Sequence, residues 1–162
     1  EKYQPPQYQD IAASECIPLD LQNVTGKLLA GQLRIEGDNY IAPFQKLAGR
    51  ANLADLAWQD RQLITIENNV RSAGMFVIAG EVTVIKPSGD FQKLPAGQLV
   101  AFADGNKIQL HAEQGARMLF FSGEPIGEPI VHRGPFVMTT EQEISETIEA
   151  YRQGTLVEPF PA

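Results

Sequence analysis

A single cysteine, Cys16, means that no intrachain disulfide can staple the fold, and the chain does not read as a small secreted scaffold. A reducing cytoplasm is the expected compartment. Basic residues are also few: 13 Lys and Arg against 20 Asp and Glu give a net charge of −7. With no basic cluster to offset that balance, direct binding to nucleic-acid phosphates is excluded as an expectation. No apolar run approaches the roughly 18 residues of a membrane span, and no basic-then-apolar leader marks a signal peptide. Glycines are scattered through turns, with no phosphate-binding loop of the usual spacing. Histidine is scarce too, with only His111 and His132 among 162 residues.

What is present is apolar residue at β spacing. A 43% hydrophobic content at this length is enough to bury one core. Residues 1–26 read as linker and lead-in, with Pro5-Pro6 in an extended opening. The first residue, Glu1 rather than Met, is what a processed or partial chain would show. Lys27–Ile35 is the first expected strand, and Asp38-Asn39 the turn after it. The stretch 41–49 is ambiguous. Ala51–Trp58 (ANLADLAW) fits a short helix by propensity or a strand by alternation of Leu53 and Leu56 with polar neighbours. Arg61–Glu67 alternates cleanly and is expected to be paired on both sides. Ala73–Ile85 carries the strongest β signal, with Phe76, Ile78, Val82 and Val84 expected on one face around Gly80. Lys86–Asp90 should turn the chain, and further strands are expected at 98–102, 107–112 and 116–122, divided by Asp104-Gly105-Asn106 and Glu113–Gly115. Many short strands with Gly-rich turns, followed by one helix, indicate a mainly β fold, a sandwich or small closed barrel.

The segment from Ser122 to Gly154 is the most legible. Glu124-Pro125, Gly127, Glu128-Pro129 and Gly134-Pro135 are expected to exclude regular structure until Met138. A helix then starts at an N-cap, Thr140, with Glu143 three residues on to complete a capping box. Ile144, Ile148 and Tyr151 form one apolar stripe, and Gly154 is placed as a left-handed C-cap. The acidic run Glu141, Glu143, Glu146 and Glu149 is explained by the cap and a solvated face.

The residues GEPIGEPIVHRGPFVMTTEQEISETIEAYRQG, from Gly123 to Gly154, resemble the carboxy-terminal signature of the pirin family, a two-cupin family. Pro6–Ile11 resembles the linker between the pirin halves, and Phe76–Val84 with Leu94–Val100 resembles the central strands of the second barrel. The resemblance implies a cupin-like antiparallel β-barrel or sandwich with a carboxy-terminal helix. It divides the chain into lead-in (1–26), barrel (27–138), helix (139–154) and tail (155–162). It also implies that the chain corresponds to the second half of such a protein.

Metal-binding cupins take three histidines and a glutamate, two of the histidines in an H-x-H step, because a catalytic metal needs several convergent ligands. The corresponding stretch here, Asn68–Met75, has no histidine. His111 lies in register with Lys107, Gln109 and Glu113 and is expected to face solvent. His132, beside Arg133, is expected to fix the crossover by a hydrogen bond. Cys16 has no activating neighbour in sequence and reads as structural. Trp58, Phe44, Phe120 and Phe121 could line an aromatic pocket, but such residues at strand spacing usually form core. No catalytic or metal-ligating residue and no cofactor are therefore expected in this chain, and iron only in an amino-terminal half. The resemblance makes the whole protein similar to quercetin 2,3-dioxygenase-like pirins, with this domain as structural partner of the iron-binding cupin. The alternative is a stand-alone binding or regulatory module without catalysis. Phe136, Met138, Ile144, Ile148 and Tyr151 are the expected contacts to that amino-terminal domain or to a second copy.

Overall fold

The computed structural model describes residues 10–44, 47–103 and 105–157. The chain divides after Pro125 into two compact units. In the first unit the strands are β1 (Ile17–Leu21), β2 (Val24–Ala30), β3 (Gln32–Ile35), β4 (Asp38–Ile41), β5 (Asn52–Trp58) and β6 (Gln62–Glu67). They continue with β7 (Ser72–Ala79), β8 (Glu81–Ile85), β9 (Phe91–Pro95), β10 (Leu99–Ala101), β11 (Lys107–Ala112) and β12 (Arg117–Gly123). They form two six-stranded antiparallel sheets, ordered β1-β2-β5-β12-β7-β10 and β4-β3-β6-β11-β8-β9. One core cluster joins the inner faces: Leu28, Leu56, Trp58, Met75, Met118 and Phe120 from the first sheet meet Ile35, Ile64, Ile66, Val82, Leu94 and Leu110 from the second. The result is a sandwich rather than a closed barrel.

Two glycines set this topology. At Gly31 (φ 76°) and Gly80 (φ 67°) the backbone enters the left-handed region that L side chains avoid. At each one the chain leaves the first sheet for the second, from β2 to β3 and from β7 to β8. The expected strand 27–35 is thus two strands in different sheets. The same break overturns the single face expected of Phe76, Ile78, Val82 and Val84. Met75 and Val77 point inward on β7, Val82 is buried on β8 with Val84 packed against the core, and Phe76 and Ile78 lie on the outer surface.

Other differences are local. The sheet begins at Ile17, inside the expected lead-in, because Ile17, Leu19 and Leu21 alternate with Pro18 and Asp20 and Leu19 is buried. The turn expected at Asp38-Asn39 lies at Glu36-Gly37, both at positive φ, and Asp38 already pairs with Ile35. Of ANLADLAW, the strand alternative holds: Ala54, Leu56 and Trp58 face inward and Leu53 outward. Arg61–Glu67 is realised as β6, paired on both sides by β3 and β11. Lys107–Ala112 forms β11 as expected. The expected lead-in over residues 1–9, the Asp104 position of one turn and the end of the tail, 158–162, lie outside the described residues.

The second unit contains β13 (Val131–Arg133), β14 (Phe136–Met138) and α1 (Glu141–Gln153). The hairpin corrects the expectation that no regular structure precedes Met138. Gly134-Pro135 forms its two-residue turn, with Arg133 opposite Phe136 and Val131 opposite Met138. The capping box forms as read: Glu143 N–H donates to Thr140 Oγ1 at 3.2 Å, and Thr140 N–H donates to the Glu143 carboxylate at 3.0 Å. The same carboxylate accepts from Thr139 N–H and Oγ1–H at 2.9 and 2.6 Å. Gly154, at φ 71°, closes the helix, and Thr155 N–H reaches back to the Ala150 carbonyl at 2.9 Å. Thr140→Ala should therefore cost this helix about 1 kcal/mol. Amide exchange in the first turn should rise by the corresponding factor, and Thr140→Ser should restore most of the protection.

Candidate functional site

The concave feature in the first unit with buried polar groups on its wall is a cavity of about 320 Å3. The β3–β4 hairpin, the start of β5 and the residues that follow β6 bound it. Its interior chemistry is built from amides. Asn52 occupies an inward position of β5, in register with Ala54, Leu56 and Trp58, and is 8% exposed. Its Oδ1 accepts from Gln32 N–H at 2.8 Å and its Nδ2–H donates to Ser122 Oγ at 3.0 Å, so both ends are satisfied. Gly31 permits this approach, since a Cβ there would lie 2.3 Å from Asn52 Oδ1.

Asn68, immediately beyond β6, is only 6% exposed. Its backbone N–H donates to the Asn106 carbonyl at 2.9 Å and its Nδ2–H to the Val70 carbonyl at 2.6 Å. Its Oδ1 is buried with no hydrogen-bond donor among the described residues. Leaving such an acceptor unpaired costs about 1–3 kcal/mol. Around the opening, Arg34 lies 3.4 Å from Glu67 and also donates to the Gly37 carbonyl at 3.0 Å. Arg50 pairs with Glu124, which Arg71 approaches at 3.9 Å. On the wall, the Tyr40 phenol is pushed above its ordinary value of 10.0, first by burial and then by the Asp38 and Asp20 carboxylates.

Neither histidine is among the residues that line this cavity. His111 sits on the outer face of the second sheet, between Leu63 of β6 and Thr83 of β8. There its Nε2 accepts from Arg61 Nε–H at 3.2 Å. His132 is exposed on β13 opposite Val137, and among the described residues it does not make the hydrogen bond expected to fix the crossover. No three His, Cys, Asp or Glu side chains converge among the described residues. The iron of metal-binding cupins therefore finds no fitting donor set in these residues. Cys16 is half-buried, its thiol 3.8 Å from the Ala12 carbonyl.

The candidate aromatic pocket is not assembled. Trp58 and Phe120 are core, Trp58 Nε1–H donating to the Gln62 carbonyl at 2.9 Å, whereas Phe121 lies on the outer face of the first sheet. Of the expected contact residues in the second unit, Ile144 is fully buried and Phe136, Met138 and Ile148 are half-buried. Tyr151 is 66% exposed, its ring edge-on to Phe136 at 6.0 Å. Sequence reasoning overlooked Asn52, Asn68 and Ser122. The available signal was a polar residue, Asn52, at an inward position of an otherwise apolar strand period.

A sandwich of two antiparallel sheets with a polar cavity between a hairpin and the strand ends, followed by a capped helix, defines a cupin-type domain. The model of the pirin C-terminal cupin domain matches residues 53–157. The chain belongs to the pirin family. It is 31% identical over 163 residues to pirin-like protein 2 of Arabidopsis thaliana, covering 95% of this chain and 48% of that protein. It is 29% identical over 155 residues to the Vibrio cholerae protein named "Putative quercetin 2,3-dioxygenase", covering 94% of this chain and 53% of that protein. The crystal structure of a quercetin 2,3-dioxygenase from Acinetobacter baumannii shares the fold, with a TM-score of 0.77 at 24% identity, over 96% of this chain and 52% of that one. The chain spans about half the length of the curated relatives it matches.

Proposed function

We propose that this chain is a metal-free carboxy-terminal cupin that acts as the structural partner of an iron-binding amino-terminal cupin. In this reading the whole protein is a cytoplasmic, quercetin 2,3-dioxygenase-like oxygenase, and the amino-terminal half holds the iron and the chemistry. The observation that carries the reading is the composition of the cavity: the buried side chains Asn52 and Asn68, with Ser122 behind Asn52, are poor ligands for iron. The coverage of about half of each relative, and the name of the Vibrio cholerae relative, support the remainder.

Two surfaces are offered to the partner. The outer face of the first sheet carries Phe76, Ile78, Leu99 and Phe121, between 36% and 68% exposed. Phe76 is aligned with Leu99 on one side and Leu119 on the other, so the residues are contiguous. Contiguous apolar patches of this kind mark interaction sites. In the second unit, Tyr151 with the half-buried Phe136, Met138 and Ile148 forms the other contact, anchored by the buried Ile144. A second copy of the chain could occupy the same surfaces.

An oxygen-uptake assay tests the division of labour. The chain supplied with ferrous iron and quercetin should consume oxygen no faster than iron and quercetin alone. Turnover by the chain itself would place chemistry in this half and overturn the reading. The second reading, a binding or regulatory module without catalysis, is favoured by the exposed apolar residues Phe76, Ile78, Leu99 and Phe121 on the outer face of the first sheet.

A further inference from the structure

We propose that β10, one edge of the first sheet, pairs antiparallel with β10 of a second copy of this chain about a two-fold axis at Val100, joining two six-stranded sheets into one. The inference concerns a strand edge rather than the sheet face described above, and it rests on neither reading of the function. Among the described residues the sandwich has four edges, and three of them carry devices that discourage the addition of a further strand. β1 contains Pro18 and Asp20, and β4 contains Asp38. Beside β9, Ala96 N–H donates to the Gly80 carbonyl and Lys86 N–H to the Asp90 carbonyl, so the even-numbered residues bond toward β8. Lys93 and Pro95 therefore lie on the outward side of the backbone, where Pro95 has no N–H to offer. β10 has no such protection: from Gln98 to Phe102 (QLVAF) there is neither a charge nor a proline.

The backbone of this edge is complementary to itself. Val77 N–H donates to the Gln98 carbonyl at 3.0 Å, and Phe102 N–H donates to the Ala73 carbonyl at 2.9 Å. Alternation along the strand then turns Val100 toward β7 and the N–H and C=O of Leu99 and Ala101 away from it. Among the described residues β10 pairs with β7 alone, and these outward groups have no hydrogen-bond partner. A two-fold axis at Val100 sets Leu99 of each copy opposite the partner's Ala101, so that every outward donor meets an outward acceptor. The side chains agree with this register. Leu99, 68% exposed, stands in line with Phe76 on the outer face, and Ala101 stands in line with Gly74 and Phe121. Pairing places a large side chain beside a small one, opposes no like charges and merges the two apolar rows across the axis. A second copy is favoured over an unrelated peptide because its edge is already ordered, whereas a disordered segment would lose its freedom for the few bonds that three residues provide. So short an edge makes the association weak and concentration-dependent.

The test combines sedimentation equilibrium of the whole chain with amide hydrogen exchange. Between about 10 μM and 1 mM the average mass should rise from one copy toward two. Over the same range exchange at the Leu99 and Ala101 amides should slow, while Val100, already turned to β7, should change little. Leu99→Lys and Ala101→Glu, both at exposed positions, should each weaken association about tenfold when made separately. An equimolar mixture of the two variants should recover it, because the introduced lysine and glutamate then stand opposite each other on one side of the axis and the native pair remains on the other. The exchange measurement on the unchanged chain holds whether or not either variant folds. A monomer throughout the range would overturn the proposal. So would association that leaves Leu99 and Ala101 exchange unchanged, which would place the contact on the sheet face, or a mixture no stronger than either variant alone.

Discussion

Replacing Trp58 by alanine should cost the first unit about 3–5 kcal/mol. Trp58 is among the largest fully buried side chains, 1% exposed in the cluster that joins the two sheets. It is also tied by its indole: Nε1–H donates to the Gln62 carbonyl at 2.9 Å across the β5–β6 turn. Its backbone adds further connections, with N–H donating to the Ala116 carbonyl at 2.8 Å and the carbonyl accepting from Gly115 N–H at 3.0 Å. Truncation removes a large buried ring, leaves a carbonyl without its donor and opens a cavity that three strands cannot close together. Domains of this size are stable by about 5–15 kcal/mol in total, so the loss is a large share. Urea unfolding should show a midpoint far below that of the parent chain, whereas Phe91→Ala, at a residue 68% exposed, should move it little. Comparable midpoints for the two variants would mean that the core is not centred where the sheets place it.

The second large effect is expected at Gly31, where fold and cavity depend on one missing side chain. A Cβ there would stand 2.3 Å from the Ala51 carbonyl oxygen and 2.3 Å from Asn52 Oδ1. The first of these is backbone and cannot swing aside. Residue 31 also holds φ 76°, which costs an L-residue about 1–2 kcal/mol before any clash is counted. Overpacking adds about 1–3 kcal/mol more, so Gly31→Val should lose roughly 2–5 kcal/mol. Gly37→Ala is the control, because it shares a positive φ of 92° but has open space around its Cβ. It should cost only the backbone part. Gly31→Val should also free Gln32 N–H from Asn52 Oδ1, so exchange at Gln32 should rise selectively among the β3 amides. If the two variants unfold at the same urea concentration, the close approach of Asn52 to residue 31 is not what constrains this end of the sandwich.

Much of the architecture was readable wherever one rule acted locally. β6 and β11 follow from strict alternation, and Thr140 with Glu143 follows from the unpaired N–H groups at a helix start. Reading failed where a glycine changed the sheet. Before Gly80 the buried positions are Met75 and Val77, and after it Val82, so inward parity moves from odd to even numbers and no single face runs through. The hairpin from β13 to β14 was illegible for another reason: its strands have three residues each, too short to show alternation between Pro-rich turns. The cavity was hidden most completely. Asn52, Asn68 and Ser122 are distant in sequence, and only the pairing of β5 with β12, which sets Asn52 opposite Ser122, and the turn of the chain after β6 create its polar interior. The scarcity of histidine was visible at once, because composition does not depend on folding.

The most direct test of the proposal that this pirin-family chain works without a metal of its own is elemental analysis after anaerobic loading with ferrous iron. Fewer than three ligating side chains converge among the described residues, so gel filtration should strip the chain to far below one iron per molecule. Zinc and copper should behave alike. Retention of about one equivalent, abolished by His111→Ala, would contradict the account and place a metal centre on the outer face of the second sheet.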